Sequence, residues 1–314
     1  MDALPPVKHS GRMGGADIAE FTFAFPPWAE AVLAFDLALI MFAVALGLTP
    51  ASFAFLRTRP RAYVAGVVSQ LVLLPVVTIA LCWVLRPAPS VAVGMIVVAC
   101  CPGGASSNLL ALWARANMGL SVSLTATSSL LAALITPISI LFWTQGYPPA
   151  GALVDSISID VAAFFVQIFA LLGVPILLGM TVRAKAPEWA VRWQGRLALA
   201  GGVLLAAIII VSTALTIDVF LALGVGITAI VIAHNLVAFA TGWLAARTAK
   251  LAAPDRRTVA IETGIQNSGL ALVIIVAQMQ GLGGAIAVVA IWGLVHLSNG
   301  VCLVGWWRRT DAHA

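Results

Sequence analysis

The stretch VGMIVVACCPGGASSNLLALW (residues 93–113) has the length and the apolar flanks of a membrane-spanning helix, yet it cannot run through as one. A helical span needs roughly 20 mostly apolar residues, and here Pro102, Gly103 and Gly104 interrupt the middle, followed by Ser106, Ser107 and Asn108. Proline removes a backbone donor and paired glycines weaken a helix, so the pattern predicts a break at mid-span. A second stretch, TVAIETGIQNSGLALVIIVA (258–277), repeats the device with Glu262, Gly264, Gln266, Asn267, Ser268 and Gly269 in its first half. In lipid the chain must satisfy its own backbone polar groups. Irregular chain at depth is therefore tolerated only around a protein-lined or watery cavity.

The rest of the sequence agrees with lipid as the solvent. Of 314 residues, 61% are hydrophobic and 9% charged, against roughly 25% charged in soluble domains. A soluble globule could not cover that much apolar surface. Disorder is excluded because nothing is too polar to collapse. Membrane barrels alternate apolar and polar residues in segments of roughly ten, whereas these runs are long and continuous. The fold class expected is an all-α polytopic membrane protein with nine transmembrane helices. The spans are read at about 29–48, 62–85, 91–113, 119–143, 157–182, 196–216, 219–245, 258–280 and 284–307. The first 27 residues show no long apolar core and no signal-peptide pattern.

Basic residues resist translocation and so set orientation. With the N-terminus outside, 14 of the 17 Lys and Arg fall inside, including Arg57, Arg59, Arg61, Arg183, Arg256 and Arg257. Lys8, Arg12 and Arg86 remain outside. The net charge of +5 thus reads as topology and contact with anionic headgroups, with no indication of nucleic-acid binding. Trp28, Trp83, Trp113, Trp143, Trp243, Trp306 and Trp307 mark span ends, where an indole keeps its N–H wet. Cys82, Cys100, Cys101 and Cys302 lie in or at the edge of apolar runs and suggest neither a disulfide nor zinc.

The two broken spans hold matching places in two four-span groups, the first to fourth and the sixth to ninth. One group starts outside and the other inside, so the copies would be inverted. Paired interrupted helices in inverted halves are the sequence signature of a secondary transporter's binding site. Glu262 is its sharpest residue, since a carboxylate near the bilayer centre costs roughly 2.5–3.5 kcal/mol and needs a proton or a cation. Its span contains no basic residue after Arg257, but neutral oxygens abound: Ser107, Asn108, Gln266, Asn267, and the lone Gln70 of the second span. In SVSLTATSS (121–129), Ser121, Thr125 and Ser128 recur at i, i+4 and i+7 along one helix face. Such hydroxyls commonly bond back to their own helix; beside an uncompensated Glu262 a cation site is preferred. One carboxylate among neutral oxygens suits a monovalent ion. Asp36 is expected to reach a watery vestibule, and Asp155 and Asp160 to be solvated. His234 with Asn235, and His296 with Asn299, could line a cavity or hold neighbouring helices together.

At CPGGASSN (101–108), SVSLT (121–125), QLVLLP (70–75) and ETGIQN (262–267), with AHN (233–235) as a weaker match, the chain resembles the bile acid:sodium symporter family over about residues 30–307. The resemblance implies a sodium-coupled carrier of organic anions with two Na+ sites. Ser107, Asn108, Ser121, Thr125 and Glu262 match the first. Gln70, Glu262 and Gln266, with the carbonyls of Thr263 and Ile265, match the second. Ala105, Ser106, Asn267, His296 and Asn299 are expected on the substrate side. A panel of about 29–48 and 157–216 would face a core of about 62–143 and 219–307, between an external segment 1–28 and a cytoplasmic tail 308–314. The commoner form of the first motif is CPGGTASN, so Ala105 and Ser106 depart from it. Leu297 also stands where some bacterial relatives carry Asn.

The expectation is a multi-pass plasma-membrane (inner-membrane) symporter working by alternating access, with sodium, an organic anion and the bilayer as its partners. Proton coupling through Glu262 is the nearest alternative and a channel a more distant one. An intramembrane enzyme is disfavoured: there is no HExxH and no Asp pair on the broken helices, and Ser107 has no His base in its segment.

Overall fold

The structure is a computed structural model that describes residues 27–53, 55–104, 106–157, 159–215 and 217–312. The expected external segment therefore lies almost wholly outside the described residues, as does Ala105. Helices run α1 (Pro27–Ala45), α2 (Pro60–Leu85), α3 (Pro89–Cys100), α4 (Ser106–Trp113), α5 (Met118–Thr144) and α6 (Pro148–Ser156). The chain continues through α7 (Val161–Lys185), α8 (Pro187–Leu215), α9 (Ile217–Thr248), α10 (Ala253–Gly264), α11 (Ser268–Gln278) and α12 (Gly283–Ala312). The described residues contain no strand. Among the described residues six helices are long and apolar enough to cross a membrane: α1, α2, α5, α7, α9 and α12. The protein is a polytopic helical membrane protein.

Both broken helices form as expected. The first consists of α3 and α4, separated at Cys101–Gly104; the second of α10 and α11, separated at Ile265–Asn267. Several helix ends differ from the expectation by a few residues or more, and two of them have a visible cause. The sixth span is expected from 196, yet its helix α8 already opens at Pro187, in the first turn, where the missing N–H is harmless. Trp189 stacks on Trp193, and the Arg196 guanidinium lies over the Trp193 ring, so this turn is built to sit between water and lipid. The short helix α6 precedes the fifth span, which starts at Val161 rather than 157.

Neither π-turn was foreseen. In α2 Leu74 N–H reaches back to the Ser69 carbonyl, and in α7 Val174 N–H reaches the Phe169 carbonyl. A proline follows each, Pro75 and Pro175. The missing proline N–H and the crowding of its ring against the preceding turn are relieved when that turn widens.

Helices α1, the latter part of α7 and α8 pack on one another, while α3 runs along α12, and α9 lies along both α10 and α12. Gly242 and Gly264 permit this last approach. A Cβ on Gly242 would meet the Val259 carbonyl at 2.5 Å, and one on Gly264 would meet the Phe239 ring at 2.4 Å. Large apolar side chains such as Leu134, Phe142, Val166, Leu178, Leu236 and Leu294 face outward, as lipid requires.

Candidate functional site

The two breaks cross. Gly103 pairs with Gln266 as an isolated antiparallel bridge, Gly104 N–H donates to the Ile265 carbonyl at 3.1 Å, and Asn267 N–H donates to the Pro102 carbonyl at 2.9 Å. The unwound segments thus satisfy one another, as backbone buried in a membrane must. Side chains at either glycine would crowd the crossing. A Cβ on Gly104 would stand 3.2 Å from the Gln266 carbonyl oxygen; one on Gly103 would stand 2.8 Å from Gln70 Nε2 and 3.1 Å from Glu262 Oε2. Asn267 caps α11 by accepting from Leu270 N–H at 3.0 Å.

Glu262 sits two residues before the end of α10 and is 1% exposed. Ser121 Oγ donates to its Oε1 at 2.5 Å and Thr125 Oγ1 to its Oε2 at 2.9 Å. Neither ion pair among the described residues, Arg59–Asp255 or Arg257–Asp311, involves it. The i, i+4 spacing on α5 therefore delivers its two hydroxyls to one carboxylate, while Ser128 bonds back to the Thr125 carbonyl at 3.3 Å. Ser107 lies 3.3 Å from Thr125 Oγ1, and Asn108 lies 3.0 Å from Ser121 Oγ. Ser121 Oγ thus has two acceptors in reach, Asn108 Oδ1 and Glu262 Oε1, and its one hydrogen can serve only one of them at a time.

The other expected group converges on the same carboxylate from its backbone side. Gln70, on the widened turn of α2, donates from Nε2 to the Glu262 carbonyl at 3.0 Å. Gln266 Nε2 donates to the Thr263 carbonyl at 2.8 Å, leaving Gln266 Oε1 buried without a hydrogen-bond partner. A buried acceptor without a donor is costly unless something positive meets it. Thus Ser107, Asn108, Ser121, Thr125, Glu262, Gln70, Thr263, Ile265 and Gln266 are brought together. They offer one carboxylate, neutral oxygens and a space that a methyl group would fill. Among the described residues no three His, Cys, Asp or Glu gather to hold a metal of higher charge.

The residues expected on the substrate side are more scattered. Ser106 opens α4 and is half-buried. His296 is buried, with Nδ1 unpartnered. Asn299 donates to Asn235 Oδ1 at 2.9 Å, and Asn235 donates to the Gly264 carbonyl at 2.8 Å. Asn235, Asn299 and His234 (2.8 Å from Thr78 Oγ1) thus make hydrogen bonds between helices, one of the two roles expected of them. Asp36 is corrected: it is 1% exposed, with Oδ1 unpartnered, so it reaches no vestibule. Asp155 and Asp160 are exposed as expected.

Sequence reasoning missed a polar clasp at the positively charged end of the helices. Asn117 caps α5 at Leu120 N–H and donates to Asp255, which also pairs with Arg59. Arg257 meets Asp311, the Ala114 carbonyl and the Trp307 ring. The Asn before the fourth span was the available signal.

Residues 34–223 match the model of the Sodium Bile acid symporter family. The "uncharacterized sodium-dependent transporter YocS" of Bacillus subtilis (strain 168) is 29% identical over 316 residues, covering 98% of this chain and 95% of that one. The human ileal sodium/bile acid cotransporter is 31% identical over 247 residues, 78% of this chain and 68% of its own length. The "probable sodium/metabolite cotransporter BASS2, chloroplastic" of rice is 26% identical, over 87% of this chain and 63% of its own. Family model and crossed breaks agree: the chain belongs to the Sodium Bile acid symporter family, a family of membrane transporters and not of enzymes.

Proposed function

We propose that this protein is a sodium-coupled symporter of an organic anion that works by alternating access across a plasma membrane, with the N-terminus outside. The observation that carries the reading is Glu262, a buried carboxylate held by two hydroxyls and, among the described residues, by no cationic side chain. In lipid such a charge demands a partner. Two sodium ions fit that demand. One is held by Ser107, Asn108, Ser121, Thr125 and Glu262; the other by Glu262, Gln70, Gln266 and the carbonyls of Thr263 and Ile265. The free Gln266 Oε1 supports the second.

These ligands come from α2, α4, α5 and both sides of the second break. Bound cations would therefore draw the crossing together as well as neutralise the carboxylate. The N-termini of α4 and α11 carry partial positive charge and favour an anionic group nearby. Ser106 and Asn267 stand at those ends, and Ala105, His296 and Asn299 complete the proposed substrate side. Spans one, five and six form the panel and the remaining six of nine spans the core. Gln278 of α11 donates to Gln167 of α7, a contact between the two that would open as they move apart. The names of the relatives mention bile acids and metabolites, which supports an organic anion of either kind as the substrate.

Proteoliposomes test this with labelled conjugated bile acids and small carboxylates. Accumulation should require an inward sodium gradient. Equal uptake with potassium in place of sodium contradicts the coupling, and uptake driven by a pH gradient alone assigns Glu262 to a proton.

A further inference from the structure

The buried polar pair His234–Asn235 on α9 lies outside both proposed cation sites, yet α9 cannot be turned without disturbing them. Both residues are 0% exposed. His234 Nε2 is 2.8 Å from Thr78 Oγ1, whose hydrogen is committed to the Leu74 carbonyl at 2.8 Å, so the ring nitrogen donates. Asn235 works the other way around the helix. Its Nδ2 donates to the Gly264 carbonyl at 2.8 Å, and its Oδ1 accepts from Asn299 Nδ2 of α12 at 2.9 Å. This amide has only one useful orientation. Turned over, its oxygen would face the Gly264 oxygen and its NH2 would face the Asn299 NH2.

The Gly264 carbonyl belongs to the peptide plane that ends α10. The other end of that plane, Ile265 N–H, donates to the Ile261 carbonyl at 2.9 Å. Holding both ends sets the direction in which the chain leaves the helix, and hence the aim of the Thr263 and Ile265 carbonyls on either side. The Phe239 ring seals the glycine's open face, so no solvent takes over the task.

We infer that Asn299 and Asn235 form a positioning relay: Asn299 fixes the Asn235 amide, and Asn235 fixes the Gly264–Ile265 peptide whose neighbouring carbonyls face the second cation. The inference rests on the sodium reading above and adds a direction to it. Asn299 is half-buried on the last helix, on the proposed substrate side. A substrate that engages Asn299 then alters sodium affinity, and by linkage sodium alters substrate affinity equally.

The test is a sodium titration of the full-length protein in lipid nanodiscs, read as thermal stabilisation. It compares wild type, Asn299→Ala, Asn299→Asp, Asn235→Ala and the Asn235→Ala/Asn299→Ala pair. Losing one neutral hydrogen bond that orients a ligand is worth about a five-fold rise in the half-saturating sodium concentration for Asn299→Ala. The isosteric Asn299→Asp should be worse than Ala, because its carboxylate attracts the Asn235 NH2 away from Gly264. The double variant should be no worse than Asn235→Ala alone, as two parts of one device are not additive. Melting without sodium should change little for Asn299→Ala, which separates positioning from general stability. A sodium-responsive wild type with an unshifted Asn299→Ala midpoint overturns the relay alone, as does an Asn299→Asp midpoint equal to wild type. A wild type indifferent to sodium overturns the relay and the sodium reading together. Should Asn235→Ala fail to fold, the two Asn299 variants decide the matter.

Discussion

Glu262 is informative because of what it lacks. Two hydroxyls point at it from α5, the Gln70 amide reaches its backbone, and no described guanidinium or ammonium approaches. The residue types were legible: a carboxylate in a broken apolar run, hydroxyls at helical spacing, glycines where chains must pass closely. What the sequence could not convey was pairing across the fold. Nothing local says that Asn235 meets Gly264, that Asn117 meets Asp255, or that Asp36 is sealed in, because each depends on residues far along the chain. The glycine reading leads to a prediction at this scale. Gly103→Ala inserts a methyl group 2.8 Å from Gln70 Nε2 and 3.1 Å from Glu262 Oε2. Overpacking of that kind costs about 1–3 kcal/mol. Half-saturating sodium in a thermal-shift titration should therefore rise about ten-fold, and an unchanged midpoint would show that the space between those atoms is not the cation's.

At the scale of elements, the broken helices were readable from Pro102 and the glycines, whereas the π-turns were not, since a proline inside a helix signals only that something must give. In α2 the widened turn is Ser69–Leu73, so Gln70 owes its direction to it. Pro75→Ala restores a donor and allows the turn to close to ordinary α geometry, which rotates Gln70 away from the Glu262 carbonyl. Sodium affinity should fall several-fold. Pro175→Ala, which acts on the matching turn of α7, should leave it unchanged; equal effects of the two substitutions would reduce the turn to a structural accident. The start of α8 escaped the sequence reading for a related reason. Charged residues beside tryptophans resemble a loop until Trp189, Trp193 and Arg196 are seen stacked on one helix face.

For the whole molecule, composition alone requires a lipid-embedded helical bundle, and the family match with the crossed breaks makes it a transporter. The asymmetry of Lys and Arg predicts the C-terminal end of α12 to be cytoplasmic. Membrane-impermeant thiol reagents on single-cysteine variants at positions 310 and 88 should label the second and not the first in intact cells; the reverse pattern would invert the topology. The account as a whole turns on a cation meeting Glu262, and calorimetric sodium titration of purified wild type and Glu262→Gln tests that most directly. Wild type should bind sodium saturably, and at 100 times its dissociation constant the ion should add about 2.7 kcal/mol to stability. Glu262→Gln should fold and show neither effect. Sodium binding that survives the substitution with unchanged affinity would contradict the account.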